Sequence, residues 1–169
     1  AHVVANDLMF DENLQPYEIS ELARGLIENV RGPASASGDA VWTREMFNLT
    51  GTVRPHGVSL SMATIPIIQD VRGEIHFDDL ANLTTPPGQQ LTIGALNPGI
   101  EVRNGRIAFQ LLPEQRVSIE RAAFEFAGGE LAVAPTTLTL GAEETRFNLT
   151  LSDGKSAFYI RQRVDQATR

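Results

Sequence analysis

Hydrophobic residues alternate with polar ones along most of this chain, and glycines punctuate the alternation. One phrase returns as Gly73-Glu74-Ile75-His76-Phe77, Gly105-Arg106-Ile107-Ala108-Phe109 and Gly129-Glu130-Leu131-Ala132-Val133, with a fainter copy at Gly51-Thr52-Val53. Each reads as a turn glycine followed by a half-buried strand, because strand side chains alternate between faces. Irregular repeats of such a unit suggest an extendable β meander rather than a closed catalytic fold.

Three turn signals predict hairpins. A two-residue loop at Asn104-Gly105 places Val102 opposite Ile107 and Ile100 opposite Phe109. A loop at Gly128-Gly129 places Phe126 opposite Leu131 and Phe124 opposite Val133. A loop at Asp153-Gly154 places Leu149 opposite Phe158 and Phe147 opposite Ile160. In each, the apolar residues meet on one face, which a one-residue slip would undo. The other face carries Glu101, Arg103, Arg106, Gln110, Glu125, Glu130, Asn148 and Thr150, so the sheet is apolar on one side and wet on the other. Arg103 and Arg106 would then oppose each other.

The N-terminal third reads differently. Val3 to Phe10 is an apolar stretch that predicts a strand. Ile19, Leu22, Ala23, Leu26, Ile27 and Val30 follow at helical spacing, with Glu21, Arg24 and Glu28 opposite. Pro16 suits the start of such a helix and Gly32-Pro33 its end. Ala34 to Gly38 reads as a small-residue loop. Phe47 to Thr50 and Val58 to Met62 alternate on either side of a turn at Arg54-Pro55-His56-Gly57. Ile65-Pro66-Ile67-Ile68 is extended, with the proline favouring an edge or break.

The expected fold is mainly β: a curved antiparallel meander, as a repeating β-groove or half-open sandwich, with one amphipathic helix near the N-terminus. Strand plus helix occupy 3–33 and the meander 40–160, in a single β-rich segment of a longer repeat protein. A sheet with one apolar face needs a cover. A helix of about twelve residues reaches about 18 Å, whereas roughly seven strands at about 4.8 Å spacing span over 30 Å. Either the sheet curls onto its own apolar face, or part of that face stays open as a groove.

Composition narrows the function. The chain has 169 residues, 42% hydrophobic, enough for one domain with a real core. The net charge of −7 argues against nucleic acid, whose phosphates demand a basic stripe. Cysteine is absent, which removes disulfides, thiolate metal sites and cysteine nucleophiles. No apolar run is long enough to span a bilayer. The opening Ala1-His2-Val3-Val4 enters an alternating pattern without an initiator Met, so the chain reads as an excised fragment whose targeting segment lies elsewhere.

Candidate chemistry is sparse, and no enzyme activity, metal site or cofactor is expected. His2, His56 and His76 are scattered, and His76 reads as a surface strand residue beside Glu74 and Asp78. Asp78-Asp79 lacks calcium-loop spacing, and Glu143-Glu144 reads as a turn. There is no Gly-x-Ser-x-Gly elbow, P-loop or His-Glu-x-x-His. Gly128-Gly129 opens no helix and is no phosphate loop.

From about Gly51 to Leu151 a series of phrases occurs in order. Val71-Arg72-Gly73-Glu74-Ile75-His76-Phe77-Asp78-Asp79-Leu80 leads to Thr84-Thr85-Pro86-Pro87-Gly88-Gln89-Gln90-Leu91. Asn97-Pro98-Gly99-Ile100-Glu101-Val102, Gly105 to Leu112, Phe124 to Leu131 and Pro135-Thr136 follow. This series resembles the C-terminal region of the YdbH-like family, a bacterial envelope family often labelled a "dicarboxylate transport" domain within the AsmA-like, repeating β-groove group. The resemblance implies a periplasmic segment of an intermembrane phospholipid bridge, anchored to the inner membrane through a segment not present here. It also implies phospholipid acyl chains as ligand and a small outer-membrane lipoprotein (YnbE-like) joining by strand addition.

On that reading the apolar face is a greasy floor. Ile107, Phe109, Leu111, Val117, Ile119, Phe124, Phe126, Leu131 and Val133 would line it and bind lipid, or else form ordinary sandwich core. At about 25 cal/mol per Å², a buried acyl chain gains several kcal/mol from area alone. Two alternatives stand beside it: a structural or assembly module of the envelope that recruits a partner by strand addition, and a dicarboxylate-binding domain.

Overall fold

The computed structural model describes residues 1–62, 65, 67–97, 99–142, 144–152 and 157–165, with backbone alone at 144–147 and 157–165. The strands are β1 (His2–Phe10), β2 (Ile27–Trp42), β3 (Phe47–Met62), β4 (Ile68–Phe77), β5 (Gln89–Leu96), β6 (Val102–Leu112), β7 (Arg116–Phe126), β8 (Gly129–Val133), β9 (Thr136–Thr139), β10 (Glu144–Ser152) and β11 (Ala157–Asp165). They form one antiparallel sheet in the order β1-β2-β3-β4-β5-β6-β7-β8-β10-β11, with β9 paired to β7. β8 and β9 lie end to end along β7, on Ala122–Phe126 and Arg116–Ile119 respectively. The meander is open: β1 and β11 end the path, and each pairs with one neighbour.

The expected N-terminal helix is absent. Its residues make two short 3₁₀ turns, Pro16–Glu18 and Glu21–Ala23, and Ile27 onward belongs to β2. The reason lies in the spacing. Leu26, Val30 and Ala34 are all buried, and intervals of four residues satisfy a strand face as well as a helical one. Gly25 at φ +75° and Asn29 at φ +53° break any helix between them. The loop expected at Ala34 to Gly38 is likewise part of β2, and the turn expected at Arg54 to Gly57 lies inside β3.

What replaces those turns is a series of β-bulges. Register shifts fall between Glu28 and Arg31 in β2, between His56 and Val58 in β3, and between Arg103 and Arg106 in β6. Asn29, Gly57, Asp70 and Asn104 supply the positive φ angles. Glycine, Asn and Asp tolerate that geometry, and each bulge adds twist and bend. The sheet therefore curls.

Asn104-Gly105 is thus a bulge, not a hairpin. The β5–β6 connection ends at Leu96 opposite Val102, and the β6–β7 turn is Pro113 to Gln115, with Leu112 opposite Arg116. Arg103 faces Glu125 rather than Arg106, so the expected repulsion does not arise. Gly73 also lies within a strand. A Cβ there would sit 2.7 Å from the Gln90 carbonyl oxygen, so close backbone approach explains the glycine.

The second hairpin turns one residue earlier than expected, at Ala127-Gly128, which pairs Phe126 with Gly129 and Phe124 with Leu131. The third pairs Ser152 with Ala157 and Leu149 with Ile160; its Asp153-Gly154 turn lies outside the described residues. In both, partners move by two residues, which preserves the face. Pro66 and Glu143 also lie outside the described residues.

The segment between β1 and β2 is a strap. Gln15 is buried and reads the Val30 backbone like a strand partner, donating to its carbonyl at 2.9 Å and accepting from its N–H at 3.1 Å. Ser20 Oγ donates to the Ala81 carbonyl, 3.4 Å away, beyond the far end of β4. The buried Leu26 side chain comes within 3.5 Å of where a Cβ on Gly141 would sit, beyond the far end of β9. The strap therefore crosses the sheet from one set of strand ends to the other.

Candidate functional site: an apolar trough

The bulges bring apolar residues into rows that run across the strands. One row passes through Leu91, Ile107, Ala122, Val133 and Leu149 on β5, β6, β7, β8 and β10. A second runs Phe124, Leu131, Leu151, and a third Leu111, Val117, Leu138. The side facing in switches from even to odd numbers at the β6 bulge (Val102 against Ile107) and back on β7 (Ile119 against Ala122). Bulges reset the phase of alternation, so one face stays apolar through both irregularities.

Each residue expected on this floor lies in one continuous cluster. Phe109, Val117, Ile119, Phe124 and Leu131 are buried, with 6–9% of their surface exposed. Ile107, Leu111, Phe126 and Val133 pack against them and stay partly open. Val102, placed on the apolar face by the sequence pattern, belongs to the same cluster, as do Ile68, Val71, Ile93, Leu96 and Ala122, which were not anticipated. The Leu91-Thr92-Ile93 alternation carried the signal for part of it. A smaller cluster of Phe10, Val30, Ala34 and Val58 continues the floor toward β1, and Leu60 packs against both. Burial this deep in a one-layer sheet requires curvature, so that side chains of successive strands lean together over the concave side.

The outer face is polar. Glu74 pairs with Arg54 and with His76 Nε2, 2.6 Å away, while His76 Nδ1 meets Thr52 Oγ1 at 2.8 Å. Arg72 pairs with Asp70 at 2.7 Å and Arg103 with Glu101 at 2.6 Å. Such exposed pairs contribute a few tenths of a kcal/mol each and mainly keep this face wet. His76 sits where a surface strand residue was expected. Among the described residues no group of His, Asp or Glu is placed to hold a metal ion, and no helix is long and apolar enough to cross a membrane.

An open antiparallel sheet, apolar along its concave side and polar outside, defines a β-groove protein. A family model described as YdbH-like, intermembrane phospholipid transport protein YdbH, matches residues 1–153. The chain therefore belongs to the YdbH-like family, a transport family rather than an enzyme family, and the match takes in the N-terminal strap as well as the meander. No curated protein and no solved structure matches it.

Proposed function

We propose that this chain is a segment of an intermembrane phospholipid bridge and that acyl chains lie along its apolar rows. The row from Leu91 to Leu149 carries this reading. It crosses four inter-strand steps of about 4.8 Å, about 19 Å in all. Half of a bilayer's roughly 30 Å hydrocarbon core is about 15 Å, so one acyl tail fits along the row. The partly open Ile107, Leu111, Phe126 and Val133 are the contacts a tail reaches without unpacking the floor. Because rows run in the direction in which strands are added, each further strand lengthens the path. The setting is the bacterial periplasm, with the inner-membrane anchor in a segment outside this chain. The end strands β1 and β11 offer sites for a YnbE-like lipoprotein to join by strand addition.

The test is photo-crosslinking in cells, with the reactive residue placed at Ile107 or Phe126 and, as control, at Gln110 on the outer face. Phospholipid adducts at the first two and not at the third are expected. A folded protein that captures no lipid at either floor position refutes the reading.

The deep burial of Phe109, Ile119 and Phe124 favours a second reading, in which strap and curvature close the core and the chain is an assembly module. Native mass spectrometry separates the two: co-purified lipid supports the conduit, and a lipid-free mass supports the module. Nothing comparable favours dicarboxylate binding, since five arginines (Arg24, Arg54, Arg72, Arg103 and Arg116) already face carboxylates.

A further inference from the structure

The β2–β3 hairpin ends in an apolar tip that the trough does not use. Its strands stay in register to Trp42 opposite Phe47, while on one side backbone contacts stop at Ala40, bonded to Ala1, and on the other at Leu49, bonded to Leu80. The last turn of the ribbon therefore projects past both neighbours. There Trp42 is 83% exposed, Met46 and Phe47 57% each, and Val41 52%. The two rings meet edge to face at 6.0 Å. From this geometry we infer that the tip inserts into the interfacial zone of a phospholipid bilayer.

Three observations carry the inference. The loop satisfies its own backbone: Thr43 N–H donates to the Met46 carbonyl at 2.8 Å, and Thr43 Oγ1 accepts from the N–H groups of Met46 at 3.0 Å and Glu45 at 3.4 Å. A loop with such internal partners loses less on leaving water. The charges at the tip, Arg44 and Glu45, cancel within a chain of net charge −7, so the tip itself is neutral. The patch is also small. Trp42 and Phe47 can each offer about 150–250 Å², short of the roughly 800 Å² per partner that a stable protein interface needs. A bilayer demands no matching shape, and Trp favours its interface. The family's intermembrane phospholipid role places the chain among membranes, but the inference does not depend on acyl chains occupying the trough.

Trp42 is the only tryptophan, so its emission reports on the tip alone. The chain is titrated with vesicles of phosphatidylethanolamine and phosphatidylglycerol in equal parts. A blue shift, quenching by brominated acyl chains and little dependence on salt are expected. Phe47→Ser keeps the reporter and should lower the partition coefficient about tenfold, about 1.4 kcal/mol, with the parent's thermal unfolding retained. Unchanged emission in excess vesicles overturns the inference. So does a blue shift that grows with protein concentration without lipid, which would mean that the tip packs on a second copy or another protein. Binding abolished by salt would mean adsorption by charge, and also overturns it. Crosslinking at Phe126 in the Phe47→Ser variant separates the two proposals: lipid captured there without tip insertion leaves the trough reading intact, and the converse leaves the tip.

Discussion

Gly105 tests whether Asn104-Gly105 is a bulge pressed against the floor or a hairpin turn. A Cβ built on Gly105 lies 2.3 Å from Phe124 Cε1 and 2.4 Å from Cδ1. Carbon atoms prefer about 3.5–4.0 Å, so the ring has to retreat by more than about 1 Å. Phe124 is 8% exposed and paired with Leu131, which leaves it little room. Overpacking of this kind costs about 1–3 kcal/mol. Gly105 lies outside the left-handed region, so alanine adds no backbone strain and recovers about 0.4–1 kcal/mol by restricting the unfolded chain. Gly105→Ala should therefore destabilise by about 1–2 kcal/mol. In a protein of this size, that lowers Tm by about 2–8 °C. Combined with Phe124→Leu, it should cost almost nothing beyond Phe124→Leu alone, a coupling of about 1–2 kcal/mol in a double-mutant cycle. Denaturant unfolding of the four proteins measures it. Full stability of Gly105→Ala, or an undiminished loss in the Phe124→Leu background, refutes the contact.

Further expectations concern the loops that hold the trough in shape. Gln15→Leu removes both partners of the buried Val30 backbone and should cost about 2 kcal/mol in chemical denaturation. Thr85 is 1% exposed, and its hydroxyl accepts from Leu111 N–H at 2.9 Å. Thr85→Val should cost about 1–2 kcal/mol and speed amide exchange at Leu111, readable by NMR. Asp79 accepts hydrogen bonds from the Asn82 side chain at 2.7 Å and its backbone N–H at 3.0 Å, which hold its carboxyl below the ordinary 3.8. A depressed carboxyl stabilises the fold above its unfolded value and loses that contribution as pH falls through the folded one. The denaturation midpoints of the parent and Asp79→Asn should thus differ at neutral pH and converge below about pH 3.8.

Much of this protein was legible as pattern. The antiparallel meander, its apolar side and its wet side follow from period-two alternation, and the floor residues from Ile107 to Val133 were found that way. Even the misplaced second and third hairpins kept their faces, because a turn shifted by one residue moves partners by two. Three things required tertiary structure. The apolar positions from Leu26 to Ala34 fit a helix and a strand alike, and pairing of Ile27, Arg31 and Ala34 with β3 decides for the strand from Ile27 onward. Asn104-Gly105 suits a hairpin turn and a bulge alike, since both ask for a positive φ at the asparagine; the approach of Phe124 decides for the bulge. The strap was invisible, because Ser20 at Ala81 and Leu26 at Gly141 are contacts between residues far apart in sequence. Local alternation specifies which face is apolar. How far that face curls, and what crosses it, depends on bulges and long-range contacts that no short window of sequence contains.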